Sequence, residues 1–185
     1  EHDIYASNIT WGQYNKNLSF FLKWLDQYCI SKKLKLNIIG KTSLADSLKE
    51  EKFFFNNIKN TKFNFFPADK NRNVYRILDR YKYSFAIDST LGLENLARGN
   101  RTGYIGNTPN IYPINTRKFS WNEGLPANGK FWTTTNKICE FDRVFDFVIN
   151  GSEYDWNNEF VKIKKVMNFN YKNKNFFKIM DEFTK

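Results

Sequence analysis

A mostly parallel α/β sheet is the architecture that this chain of 185 residues predicts. Three observations predict it. Apolar runs of strand length recur at 34–39, 63–66, 84–87 and 102–105. Between them lie stretches whose apolar positions recur at helical spacing. The passage from strand to helix is marked by small polar residues, most clearly at Asp88-Ser89-Thr90. Strands alternating with helices imply parallel pairing, and right-handed crossovers place helices on both faces. The expected fold is a doubly wound, mostly parallel, five- to six-stranded Rossmann-like sheet with a helical C-terminal tail.

Taken in order, residues 3–6 read as a short first strand ending at the polar turn Ser7-Asn8. From about Gln13 to Ile30, the positions Leu18, Phe21, Leu22, Leu25, Tyr28 and Cys29 form a helical stripe. A second strand over 34–39 runs into Gly40. Thr42 or Ser43 then caps a helix through Leu44, Leu48 and Phe54. Residues 63–66 form a third strand, stopped by Pro67. A short helix over 74–81 leads into the strand at 84–87, and 102–105 is the next strand. Residues 106–130 are rich in Asn and hold three of the four prolines, so they predict a long loop. A last strand over 131–134 precedes three helical pieces, about 138–149, 153–168 and 173–183. The expected organisation is one domain, with a ligand-binding part over 1–135 and a helical extension over 136–185 packed on it. In the doubly wound order 3-2-1-4-5-6 the first and fourth strands adjoin, so Ser7-Asn8 and Asp88-Ser89-Thr90 would face each other across a crevice.

Aromatic residues make up 18% of the chain, with 19 Phe, which excludes a disordered protein. No apolar run approaches the roughly 20 residues that span a bilayer. The net charge of +10 suggests an anionic partner. Lys, Asn, Ile, Phe and Tyr are all heavily used, however, and all have AT-rich codons, which competes as an explanation. The late run Lys162, Lys164, Lys165, Lys172, Lys174 and Lys178 lies at helical spacing and reads as a solvated face. Aromatics interleaved with lysines would suit single-stranded nucleic acid, but they fall on the stripes expected to be buried. Cys29 and Cys139 are far apart among apolar residues, and two buried free thiols are expected. With two Cys and one His, neither a metal site nor a Ser-His-Asp apparatus is expected.

The stretch 83–99 concentrates the chemistry. A strand ends in Asp88-Ser89-Thr90, a helix follows over 91–97, and Gly99 sits where a left-handed residue would end it. Ligands of open α/β sheets bind at the carboxyl ends of strands, and a helix start offers N–H groups to a phosphate. Ser89 and Thr90 would add their hydroxyls. Gly92 permits close backbone approach to the ligand or, alternatively, tight helix packing. Glu94, one turn on, accepts two ribose hydroxyls or is a solvated first-turn acid. Lys41, just after the second strand, could reach the phosphate. Pro67 and Ala68 end the third strand, where backbone groups could meet a base. Asp88 faces the crevice or caps the following helix, and capping is preferred. Neither GxGxxG nor GxxxxGK[ST] occurs.

Residues 88–99, Asp-Ser-Thr-Leu-Gly-Leu-Glu-Asn-Leu-Ala-Arg-Gly, resemble the S-T-L-G-x-E-x-L-A-R-G signature of bacterial surface-carbohydrate biosynthesis proteins. Those are transferases similar to the C-terminal, donor-binding half of GT-B glycosyltransferases. Residues 74–79 and 125–132 resemble the same family, so the likeness covers roughly 1–135. The resemblance implies a nucleotide-sugar substrate and no further cofactor. It implies donor phosphate at Ser89, Thr90 and Gly92, and ribose at Glu94. It leaves the catalytic residues unknown. GT-B enzymes carry an N-terminal acceptor domain that often bears the base, and none is recognisable here. The expectation is therefore a donor-binding domain, inactive alone, acting in surface polysaccharide or lipopolysaccharide synthesis on a saccharide or lipid-linked acceptor. It would be cytoplasmic, with peripheral contact at the inner face of the membrane left open. The competing readings are a stand-alone nucleotide-sugar-binding module, an epimerase-like protein and a nucleic-acid-binding protein, although no specific nucleic acid is expected.

Overall fold

The computed structural model describes residues 2–40, 47–67, 74–107 and 125–166, with side chains over 12–40, 48–67, 74–107 and 125–164. It divides into two compact units, Glu1–Ile77 and Leu78–Lys185. The described elements run α1 (His2–Ser31), β1 (Leu36–Ile39), α2 (Ser47–Asn57), β2 (Phe63–Phe66), α3 (Val74–Leu78), β3 (Ser84–Ile87), α4 (Thr90–Ala97), β4 (Thr102–Ile105), β5 (Asn128–Gly129), β6 (Trp132–Thr133), α5 (Ile138–Asn150) and α6 (Glu153–Val166).

The α/β class and the four expected strands between 34 and 105 are present. The single five- to six-stranded sheet is not. The strands pair in two sheets, one of order β1-β2 and one of order β3-β4-β6-β5. The reason lies at the first expected strand. Residues 3–6, Ser7 and Asn8 are helical, part of α1, so the strand expected there to join the two ladders is absent among the described residues. Nothing between Asp3 and Gln13 stops a helix. There is no Pro, and the interior Gly12 costs only about 1 kcal/mol. Extending a helix already nucleated is easier than starting a new element. The polar turn at Ser7-Asn8, and with it the reason for placing those residues at a crevice, is withdrawn. Pairing among the remaining strands is parallel as expected for β1-β2, β3-β4 and β4-β6. Within the expected loop, residues 128–129 instead form β5, antiparallel to β6. The cap expected at Thr42 or Ser43 and the third C-terminal helix lie outside the described residues.

In the first unit, one face of α1 buries Phe21, Leu22, Leu25 and Cys29. Helix α2 meets β2 through the ring pairs Phe54–Phe65 and Phe55–Phe63, 5.9 and 4.6 Å between centroids. Asp26, only 2% exposed, anchors the α2–β2 turn. Its carboxylate accepts from the backbone N–H groups of Lys59, Asn60 and Thr61 at 2.7–3.3 Å and from Asn60 Nδ2 at 2.8 Å. Burial pushes its pKa up, but the hydrogen bonds from Thr61, Asn60 and Lys59 outweigh burial, so the net position is below the usual 3.8. A carboxyl whose folded pKa is depressed stabilises the fold above its unfolded pKa. That contribution is lost as pH falls from 3.8 through the lower folded value. Asp26→Asn should therefore lose about 2 kcal/mol at neutral pH. Below pH 3.8 its stability should fall less steeply with acid than the wild type's. Urea melts at stepped pH check this, and equal slopes would remove Asp26 from the account. Beside it, the Cys29 thiol is pushed up to about 11 by burial first and by the Asp26 charge second. Cys29 is buried as expected, whereas Cys139 is exposed on α5, because its position lies off the helix's apolar stripe of Phe141, Val144, Phe145 and Val148.

In the second unit, the sheet carries helices on both faces. Side chains alternate along a strand, so Phe85 and Ala86 point to opposite sides. Ala86 meets α4, since a Cβ on Gly92 would fall 2.1 Å from the Ala86 Cβ. Phe85 stacks on Phe145 of α5, centroids 3.6 Å apart. The core gathers Leu96, Tyr104, Phe131, Trp132, Val148 and Trp156, all nearly or fully enclosed. Arg101, at the start of β4, is buried beneath Trp156 and donates to the carbonyls of Gly151 at 2.7 Å and Val148 at 3.3 Å, with Glu153 at 3.0 Å. Arg143 of α5 reaches back to the carbonyl oxygens of Gly129 and Trp132 and so ties the helix to the β5–β6 hairpin. No helix among the described residues is long and apolar enough to cross a membrane.

Candidate functional site at the carboxyl edge of the sheet

Strands β3, β4 and β6 run parallel, so their carboxyl ends share one edge. That edge collects Asp88-Ser89-Thr90 after β3, Gly106-Asn107 after β4 and Thr134-Thr135 after β6. The ladder continues into these turns, with Asp88 N–H donating to Ile105 O at 3.2 Å and Gly106 N–H to Thr133 O at 2.8 Å. Asp88 then adopts a left-handed conformation, φ +46°, unusual for a residue other than glycine but best tolerated by Asp and Asn. This reversal turns the chain out of the strand, and after the extended Ser89 the helix begins at Thr90.

Asp88 does not cap α4, the role preferred for it on sequence grounds. Its carboxylate instead accepts from the backbone N–H of Asn107, at 3.1 and 3.0 Å. The left-handed backbone aims the side chain across to β4 rather than along the helix. Ser89 occupies the N-cap position in an extended conformation, and α4 starts with no side-chain cap. Thr90 is exposed and Ser89 half-buried at the same point. Glu94 lies four residues on, on the same exposed face of the helix as Thr90. The structure thus brings Asp88, Ser89, Thr90 and Glu94 together.

Gly92 plays a different part. It is buried, its N–H donates to Ser89 O at 3.1 Å, and the space a side chain would need is filled by Ala86. Of its two readings, tight helix packing is the one for which the geometry supplies a reason. Lys41 and Ala68 lie outside the described residues. Pro67 follows β2 in the first unit, and Ser7 and Asn8 are in α1 of that unit.

Several residues that hold the site were not singled out in the sequence. Asn95, 2% exposed, donates through Nδ2 to Ser84 Oγ at 2.9 Å and Thr102 Oγ1 at 3.0 Å, and its Oδ1 accepts from Asn100 at 2.8 Å. This buried network locks α4 onto β3 and β4. The signal was a polar residue at a helical position flanked by Leu93 and Leu96, which must be hydrogen-bonded if enclosed. The helix ends as expected at Gly99, φ +88°, with Gly99 N–H to Leu96 O and Asn100 N–H to Asn95 O closing a Schellman turn. Arg98 forks onto Asp79 at 2.6 and 2.7 Å, joining residues of two of the stretches that carry the family resemblance.

A family model described as "putative O-antigen biosynthesis protein" matches residues 3–184. No curated protein and no solved structure matches the chain.

Proposed function

This chain belongs to that O-antigen biosynthesis family, and within surface-carbohydrate synthesis we propose that it binds the nucleotide-sugar donor of a glycosyl transfer. The observation that carries the reading is the start of α4. An eight-residue helix opens without a side-chain cap at the carboxyl end of a parallel strand, with two hydroxyl residues beside it. Its first N–H groups and the Ser89 and Thr90 hydroxyls would take the phosphate oxygens, with roughly 0.3–1 kcal/mol per charge from the helix dipole.

In glycosyl transfer the bond between the anomeric carbon and the phosphate oxygen breaks, and negative charge develops on the departing nucleotide. Donors fixed at that point stabilise the charge without reorganising. Ser89 and Thr90 hold the phosphate, and Glu94 accepts the ribose hydroxyls along the helix. The GT-B likeness, the acceptor and peripheral membrane contact belong to the same proposal.

Calorimetric titration with nucleoside diphosphates tests it. Wild type should bind at least one of them saturably. The double variant Ser89→Ala with Thr90→Val should weaken that binding by tenfold or more, since each hydrogen bond to a charged group contributes about 1.5–3 kcal/mol. Absence of saturable binding, together with steeply salt-dependent binding to arbitrary RNA or DNA, would replace this reading with nucleic-acid binding.

A further inference from the structure

We propose that Asn128, on the β5–β6 hairpin, contacts the sugar of the donor; this rests on the donor-binding reading above. In the sheet order β3-β4-β6-β5, Asn128 pairs with Thr133 at the carboxyl end of β6. It therefore lies on the edge that carries Ser89 and Thr90. Three strand spacings separate β3 from β5, about 14 Å. That is too far for one phosphate group to touch both ends.

The Asn128 carboxamide is held in one orientation. Its Oδ1 lies 2.7 Å from Thr133 Oγ1 and 3.2 Å from Thr135 Oγ1. Both hydroxyls donate to that oxygen, while Thr133 Oγ1 accepts from Thr135 N–H at 2.9 Å and also lies 3.3 Å from the Thr135 carbonyl oxygen. The NH2 group is thereby turned the other way, on an exposed residue at the sheet edge. An oriented amide donor of this kind suits a neutral oxygen acceptor such as a sugar hydroxyl. With phosphate at Ser89 and Thr90 and the nucleoside running along α4 to Glu94, the sugar is the part of the ligand left to extend along the edge toward β5.

Purely as a hairpin fastener, Asn128 needs only its oxygen. As a ligand contact it needs its NH2. Asn128→Asp keeps acceptors for both hydroxyls at unchanged shape, and Asn128→Ser keeps a smaller acceptor without adding charge. Each protein would be titrated with uridine, guanosine and thymidine diphosphates and with their hexose esters. Wild type should bind the matching hexose ester more tightly than the bare diphosphate. Both variants should bind the bare diphosphate like wild type and lose roughly threefold to tenfold of the gain from the hexose. An unchanged gain in both variants, or no gain from the hexose in wild type, would overturn the contact while leaving phosphate binding at Ser89 and Thr90 standing. A loss in Asn128→Asp alone would assign the effect to the added charge and overturn it too. If wild type binds no diphosphate at all, the donor-binding reading fails and the sugar contact with it.

Discussion

Gly92→Ala should destabilise the protein by about 2–3 kcal/mol, although alanine is the better helix former by about 1 kcal/mol. The added Cβ would fall 2.1 Å from the Ala86 Cβ, a separation that packed carbon atoms do not reach. Neither atom sits on a flexible side chain that could swing away. The helix and the strand would have to separate, and overpacking of this kind typically costs 1–3 kcal/mol. The same geometry predicts a rescue. After the Ala86 Cβ, the next atoms are the Ala86 Cα at 3.6 Å and Thr102 Cγ2 at 3.7 Å, both ordinary contacts. Ala86→Gly should therefore accept Gly92→Ala with little further loss, giving a favourable coupling of about 1–3 kcal/mol in a double-mutant cycle. Urea denaturation of the four proteins measures it. Additive single effects would mean that the two residues do not meet. The swapped protein also separates the two readings of Gly92. If its missing side chain serves packing, exchanging the two residues restores nucleotide binding along with stability. If the ligand needs the glycine, stability returns and binding does not.

Glu94→Gln should leave stability within about 0.5 kcal/mol of wild type, because the side chain is exposed on α4. Affinity for a nucleoside diphosphate should nevertheless fall roughly 10- to 150-fold, the worth of charge-assisted hydrogen bonds to the ribose hydroxyls. The 2′,3′-dideoxy diphosphate makes the test specific. Wild type should discriminate against it, and Glu94→Gln should bind both ligands alike. If wild type itself binds the two equally, Glu94 is a solvated acid in the second turn of α4 and the ribose must be held elsewhere. The exposure of Glu94 fits either role, since a ribose carboxylate must be open to solvent before the ligand arrives. Only the ligand comparison separates them.

Local rules account for much of what was legible. The strands at 36–39, 63–66, 84–87 and 102–105 are short apolar runs, and period and length suffice to read them. The turn Asp88-Ser89-Thr90, helix α4 and the stop at Gly99 follow from residues whose backbone preferences are strong. The helix expected over about 138–149 is α5, Ile138–Asn150. Residues 3–8 were misread because isolated apolar residues beside small polar ones satisfy a strand-and-turn pattern as readily as a helix. The decision belonged to α1, which was already nucleated downstream.

By itself, then, the sequence determined the α/β class, the parallel sense of the β1-β2, β3-β4 and β4-β6 pairings and a polar turn at the carboxyl end of β3, all consequences of near-neighbour chemistry. The tertiary structure decided the division into two sheets, because one strand more or less changes which ladders can join. It supplied a packing reason for Gly92, because Ala86 fills the space a side chain there would need. It decided that Asp88 holds Asn107 rather than the helix, because the direction of a side chain depends on a backbone angle that residue type permits without requiring. And it brought residues near 88 and near 128 to one sheet edge. Which residues 40 positions apart share an edge depends on which strands become neighbours, and that choice is made by the packing of the whole unit.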